Sequence, residues 1–291
     1  MTKPLVSVII PTHNSEATIE RCITSLQKQS ANRDYYEIII VDDDSTDHTI
    51  EIVKRCKIDN LIQTGPCTVS RARNLGAENA NADIIVFLDS DCEADKRWIG
   101  TIMVEVRESQ AVVGSIENGS TQSRVGWMEY LIEFSAFSEK RKRDQLRWGP
   151  TCNIACTKKD FVKSGGFADV NGSEDVLFGE SLGHVGVSRY FVPEMKIRHI
   201  CRTELGKVLS HQEFLGRYST RVRRENPSLS YSFLGRKRSY IPLVFCSKVA
   251  ARTFYAIKTR RFWLFVSVLP LIILGVCAFC KGAWKEFGTK K

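Results

Sequence analysis

Three short apolar runs near the start of the chain, LVSVII (5–10), YEIIIV (36–41) and DIIVFL (83–88), each stop abruptly at polar residues. Runs this short, rich in β-branched residues and without alternation, predict strands buried on both faces. Between them lie helical patterns. Ser15 is placed to cap a helix whose apolar positions are Ile19, Cys22, Ile23 and Leu26. A second helix over roughly 47–56 presents Ile50, Ile52 and Val53, and a third runs from about Thr68 to Asn79 after a weaker strand, LIQT (61–64). Another helix begins near Asp95 and leads into AVVGSI (111–116). Strand and helix in alternation predict an α/β fold, a Rossmann-like αβα sandwich with a mostly parallel central sheet. Ligands in such sheets bind at the carboxyl ends of the strands.

The three runs end in Thr12-His13-Asn14, Asp42-Asp43-Asp44 and Asp89-Ser90-Asp91, which the topology brings to one edge. A single Asp-Ser-Asp is also an ordinary turn sequence. The carboxylates gathered at that edge repel one another unless positive charge sits among them. Hard carboxylate ligands suit Mg²⁺ or Mn²⁺. A metal held by one or two of them keeps coordination positions for diphosphate oxygens. Arg71 and Arg73, in SRARN, lie near a helix start beside the same edge and suit a phosphate or a base. No G-x-G-x-x-G follows the first strand, so the dinucleotide fingerprint is absent. The combination points to a nucleotide diphosphate.

Charge is distributed unevenly over the 291 residues. The total is +9, yet residues 1–120 hold 12 basic and 19 acidic side chains, whereas residues 197–291 hold 19 and 4. A nucleic-acid binder along its length would not confine its charge to the tail, and no nucleic-acid partner is expected. The ten cysteines are scattered through apparent strands and helices. With no apolar run at MTKPLVSVIIP long enough for a signal peptide, they predict a reducing, cytosolic compartment. Cys152 with Cys156, and Cys277 with Cys280, lack the partners of a zinc site and are read as packing residues.

Four segments in order, VSVIIPTHN, IIIVDDDSTDHT, SRARNLGAENANADIIVFLDSDC and GGFADVNGSEDVLFGESLGHVG, resemble an inverting family 2 glycosyltransferase with the GT-A fold. The resemblance covers about 200 residues from the N-terminus. It implies that Asp43 bonds the base of a nucleotide diphosphate sugar, with Pro11, Thr12, Asn14 and Asp42 building the same pocket. Asp89 and Asp91 then face the ribose and the metal-bound diphosphate, Arg73 sits over the nucleotide, and Asp175 is the general base. An inverting transfer needs one such carboxylate to take the acceptor's proton. Ser173 before Glu174-Asp175 also reads as a helix cap, which is compatible with that role. His199, after VPEMKIR, is a candidate third metal ligand beside Asp89 and Asp91. HQEFLGRYSTRVRR loosely resembles the Gln-x-x-Arg-Trp element of processive synthases, with tyrosine in place of tryptophan, and makes Arg217 a candidate phosphate contact. Asn153 and Trp148 are candidate acceptor contacts.

Residues 262–280, FWLFVSVLPLIILGVCAFC, carry no charge and have cations on both sides. A helix of that length just crosses a hydrocarbon core of roughly 30 Å. The preceding YIPLVFCSKVAARTFYAIKTRR mixes apolar residues with spaced cations, as an interfacial helix does. The expected organisation is therefore a nucleotide-sugar half (1–120), an acceptor half (121–235) and a membrane-associating helical tail (236–291). It places the protein on the cytoplasmic side of a membrane, with a glycan or lipid-linked acceptor. Asp43 suits the uracil imide, which favours a uridine donor. Two rival classes are a membrane-tethered nucleotide-sugar binder without catalysis and a nucleotidyltransferase. The second needs a glycine-rich basic loop after the first strand, and PTHNSEAT is not one.

Overall fold

The computed structural model describes residues 3–229 and 231–288. Two compact units emerge, one of residues 1–117 with 142–200 and the other of residues 118–141 with 201–291. This division differs from the three consecutive segments expected.

In the first unit, β1 (Val6–Thr12) leads through α1 (Ile19–Gln27) to β2 (Tyr36–Asp43), α2 (Thr49–Arg55), β3 (Asn60–Thr64), α3 (Val69–Glu78) and β4 (Ile84–Leu88). β1 pairs in parallel with β2 and β4, and β2 with β3. All seven residues of β1 are buried, as the lack of alternation requires. Its one interior polar group, Ser7, donates to Glu37 and accepts from the Ala82 amide at 3.1 Å, while Glu37 also holds Asn81. Gly76 lets α3 settle on β1: a Cβ there would stand 2.4 Å from Ile9 Cγ2.

Antiparallel pairings enter in the rest of the sheet. β5 (Cys92–Ala94), α4 (Trp98–Glu105) and β6 (Gln110–Asn118) come next, then α5 (Arg124–Glu133) in the second unit, and the chain returns as β7 (Gln145–Leu146) and β8 (Asn153–Thr157). α6 (Lys158–Ser164), α7 (Glu174–His184) and β9 (Ser188–His199) complete the first unit. The nine-stranded sheet runs β3-β2-β1-β4-β8-β6-β9-β5, with β7 on β9. The β3–β4 half has the parallel pairing read from the strand–helix alternation. β8 and β9 enter antiparallel against β4 and β5. Ser15 does not cap α1. The helix starts at Ile19, and the Ser15 hydroxyl instead bonds the Ser90 hydroxyl at 2.8 Å.

The second unit is helical. With α5 it contains α8 (Leu205–Glu225), α9 (Ile241–Lys258) and α10 (Phe262–Glu286). The expected separable tail is in fact the centre of this unit, since α10 packs on α5, α8 and α9. It buries Phe265, Val268, Ile272, Val276 and Phe279 along one stripe, each worth about 1.5–3 kcal/mol. Backbones touch where α8 and α10 meet: a Cβ on Gly216 or Gly282 would lie 1.9 Å from the carbonyl of Phe279 or Glu213.

Candidate functional site

The carboxyl ends of β1, β2 and β4 meet as the topology requires. Thr12 and Asp42 are register partners on adjacent strands, and both are buried. Among the described residues, Thr12 Oγ1 and Asp42 Oδ1 have no hydrogen-bond partner, whereas Asp42 Oδ2 accepts from the Ser45 amide at 3.1 Å. Pro11 is enclosed within β1. Asn14 adopts a left-handed backbone (φ 48°), a conformation asparagine tolerates better than most residues. Its amide donates to Ser45 Oγ at 2.9 Å, and its Oδ1 accepts from the Thr46 amide at 2.8 Å. Asn14 thereby clips the end of β1 to the loop after β2. Asp43 accepts the Cys67 amide at 2.5 Å through one carboxylate oxygen. A hollow of about 550 Å³, lined by Thr64, Pro66, Cys67 and Arg71, opens beside that contact.

Arg73 lies at the centre of the site. It is 2 % exposed, donates to Asp89 Oδ1 at 2.7 Å and to Glu174 Oε1 at 3.0 Å, and stands 5.6 Å from the Phe167 ring. Burial pulls the guanidinium pKa down, but Asp89 and Glu174 outweigh it and raise it above its ordinary value. Arg73 cross-links the end of β4 to the start of α7. Asn74, the next residue, trades hydrogen bonds of 2.9 Å with the Phe167 backbone, and Thr68 bonds Asp169. Phe87, Phe161, Phe167 and Phe178 pack as one aromatic cluster, with centroids as close as 4.4 Å. The GGF segment thus fixes α7 against α3. Glu174, read from sequence only as a helix-start acid, is the residue that closes this link.

Asp175 stands in the first turn of α7, its Oδ1 accepting from the Val176 amide at 2.8 Å. Ser173 has a left-handed backbone (φ 64°) and makes no capping bond, so the predicted cap is not formed. Asp89 and Asp91 are partly exposed. His199 pairs in register with Cys92 across β5 and β9, and its Nε2 lies 3.4 Å from Asp91 Oδ1. The ligand atoms of Asp91, Cys92 and His199 all lie within 4.8 Å of one another. A carboxylate and an imidazole at that spacing fit a divalent cation of the Mn²⁺ or Mg²⁺ kind. Burial above all, then the neighbouring Cys152, raises the Cys92 thiol well above its usual pKa, so it stays protonated. Asp89 has one oxygen committed to Arg73.

Two further candidates have protein partners of their own. Arg217 is in the second unit, where it donates to Glu286 at 3.2 Å. Asn153 is fully buried, accepting from the Trp98 indole at 2.9 Å and donating to the Ser115 and Met195 carbonyls. It braces the sheet and is not open to an acceptor.

Residues 7–161 match the family described as Glycosyl transferase family 2. The chain belongs to that family. Glycosyltransferase AglE of Haloferax volcanii is 28 % identical over 180 residues, 58 % of this chain and 56 % of that protein. Validoxylamine A glucosyltransferase of Streptomyces hygroscopicus subsp. limoneus is 28 % identical over 221 residues, 63 % of this chain and 49 % of that one. The chain therefore spans about half the length of these curated relatives. Among solved structures, mannosyltransferase PcManGT from Pyrobaculum calidifontis, in complex with GDP-Man and Mn²⁺, aligns with a TM-score of 0.64 at 17 % identity over 100 % of this chain and 89 % of that one. S. aureus TarS 1–349 in complex with UDP-GlcNAc aligns at 0.55 and 16 %, over 91 % and 90 %. These likenesses establish a GT-A-like fold.

Proposed function

We propose that this protein transfers a sugar, with inversion, from a nucleotide diphosphate sugar to a hydroxyl acceptor. The observation that carries the reading is the Asp89–Arg73–Glu174 bridge, which sets the strand-end carboxylates beside the helix turn bearing Asp175. Asp43 takes the base through the carboxylate oxygen that Cys67 leaves open, and the unpaired Thr12 and Asp42 oxygens line the floor. Uridine is the favoured base, because a carboxylate accepts from its imide. Asp91 and His199 hold a divalent cation, which when bound neutralises the departing diphosphate. Asp175 accepts the proton of the attacking hydroxyl. Arg73 fixes Asp89 and keeps the two acidic motifs from separating.

A lipid-linked or cell-surface glycan precursor, met at the cytoplasmic face of a membrane, is the acceptor class we infer. The apolar Phe262–Glu286 helix and its flanking cations support that location. The deciding experiment measures nucleotide diphosphate release from UDP- and GDP-sugars with Mn²⁺ or Mg²⁺, with and without extracted lipids as acceptor. Lipid-dependent release from a UDP-sugar is expected. Absence of release from every donor in the presence of metal and lipid would sink the reading.

A further inference from the structure

α9 has its polarity turned inside out. Two of its three cations face protein: Arg252 donates to the Ile132 carbonyl at 3.0 Å, and Lys248 Nζ sits 3.6 Å from the Phe279 ring centre, while Lys258 in the last turn is exposed. Its large exposed side chains other than Lys258 are apolar, with Leu243, Phe254 and Ile257 each at least half exposed. A surface helix facing water shows the reverse pattern. α10 is apolar on both sides, one stripe covered by its unit and the other, including Trp263, Ile273, Leu274 and Trp284, exposed. α9 and α10 pack on each other, with only residues 259–261 between them.

We propose that this helical hairpin lies in the plane of an anionic lipid surface, immersing its exposed face, and that α10 does not cross the bilayer. Charge argues for lipid over a second copy of the chain. Residues 226–285 contain ten lysines and arginines and no aspartate or glutamate, so two such faces would repel, whereas anionic headgroups complement them. Tryptophans beside cations suit the headgroup level. Packing argues against a span. α10 is bonded to charged groups at its start and its end: Arg124 donates to the carbonyl of the exposed Ser267, the exposed Lys281 pairs with Glu213 at 2.7 Å, and the buried Glu286 binds three arginines. A crossing α10 would carry those groups, with α5 and α8, into hydrocarbon. An in-plane helix immerses only its outer side, to a depth of about 5–10 Å.

This inference deepens the membrane part of the reading above and is tested without donor or acceptor, so its failure leaves sugar transfer untouched. The full chain is mixed with phosphatidylcholine vesicles, with or without roughly 30 % phosphatidylglycerol, and floated. Binding to the anionic vesicles is expected, falling about tenfold or more on neutral ones or in high salt. Trp263→Ser with Leu274→Ser, both on the exposed stripe, should weaken flotation about tenfold while the melting temperature holds. In sealed inside-out vesicles from expressing cells, a tag after Lys291 should be digested by added protease. A protected tag would mean a span. Equal flotation on both vesicles, no flotation on either, or a dimer that the double variant dissociates would each overturn the proposal.

Discussion

One arginine enclosed by two acids organises the first unit, and one glutamate enclosed by three arginines organises the second. Arg73 is held by Asp89 and Glu174, and its partners keep part of their carboxylate surface open. Glu286, the only acid after Glu225, is 1 % exposed and bonded by Arg217, Arg221 and Arg224, each at least a quarter exposed. In each case the enclosed charge is paired and the excess of opposite sign points outward. A buried ion demands partners, so the surplus is obligatory and only its sign is chosen. At the strand ends the surplus is negative, suited to a cation and a proton. Along α8 it is positive, suited to phosphate-bearing surfaces.

The outward carboxylates of the first cluster give the largest expected effects. Asp91→Ala, or excess chelator, should lower transfer by about 10³-fold or more, since metal stabilisation of a leaving diphosphate supplies several kcal/mol. The secondary structure should be unchanged by circular dichroism, because Asp91 is partly exposed at a strand end. Full turnover in chelator would separate this cluster from metal chemistry altogether. Asp175→Asn comes next, with an expected loss of about 10²-fold or more in turnover and donor affinity retained by calorimetry. Lost affinity with unchanged turnover would make Asp175 a binding residue.

The enclosed charges themselves should cost stability rather than chemistry alone. Arg73→Met leaves Asp89 and Glu174 facing each other. Breaking a buried pair costs about 3–5 kcal/mol, which the partial exposure of Asp89 reduces to about 2–3 kcal/mol. Glu286→Leu releases three arginines that reach solvent more easily, so about 1–2 kcal/mol is expected. Urea unfolding of the two variants ranks them directly. If Glu286→Leu proved the costlier change, enclosure of the central charge would matter more than exposure of its partners.

How much of this was legible follows the range of the interactions. Buried parallel strands announce themselves as apolar runs, and the acidic motifs are contiguous, so Asp43, Asp89, Asp91 and Asp175 stand out in the sequence as candidates. The Arg73–Glu174 bond spans 101 residues, and no local spacing encodes it. Asn153 looked like a loop contact because the sequence does not reveal that the Trp98 indole and two carbonyls converge on it. Arg217 was drawn toward phosphate by a motif likeness, while its partner Glu286 lies 69 residues away. The tail's composition was clear, yet not the packing of α10 on α8, which depends on the facing glycines at 216 and 282. Cysteine pairs were read correctly as packing in part: Cys152 and Cys156 are buried, but Cys277 is exposed.

The smallest effect tests the seam beside Glu286. Glu213, on α8, accepts from Lys281 and Lys285 of α10, and those bonds hold its carboxyl below the ordinary value. A depressed acid stabilises the folded state above its unfolded pKa, about 4.3, and that contribution is lost as pH falls through the lower folded value. Both lysines are more than half exposed, so solvent screens the pair and about 0.5 kcal/mol is the expected size. Glu213→Gln should therefore unfold at slightly lower urea than the parent at pH 7 and at the same urea once pH falls below the depressed folded value. High salt should also narrow the gap. A penalty that persisted undiminished through the acid range would assign Glu213 to packing, and the outward positive surplus of the second unit would then owe nothing to this pair.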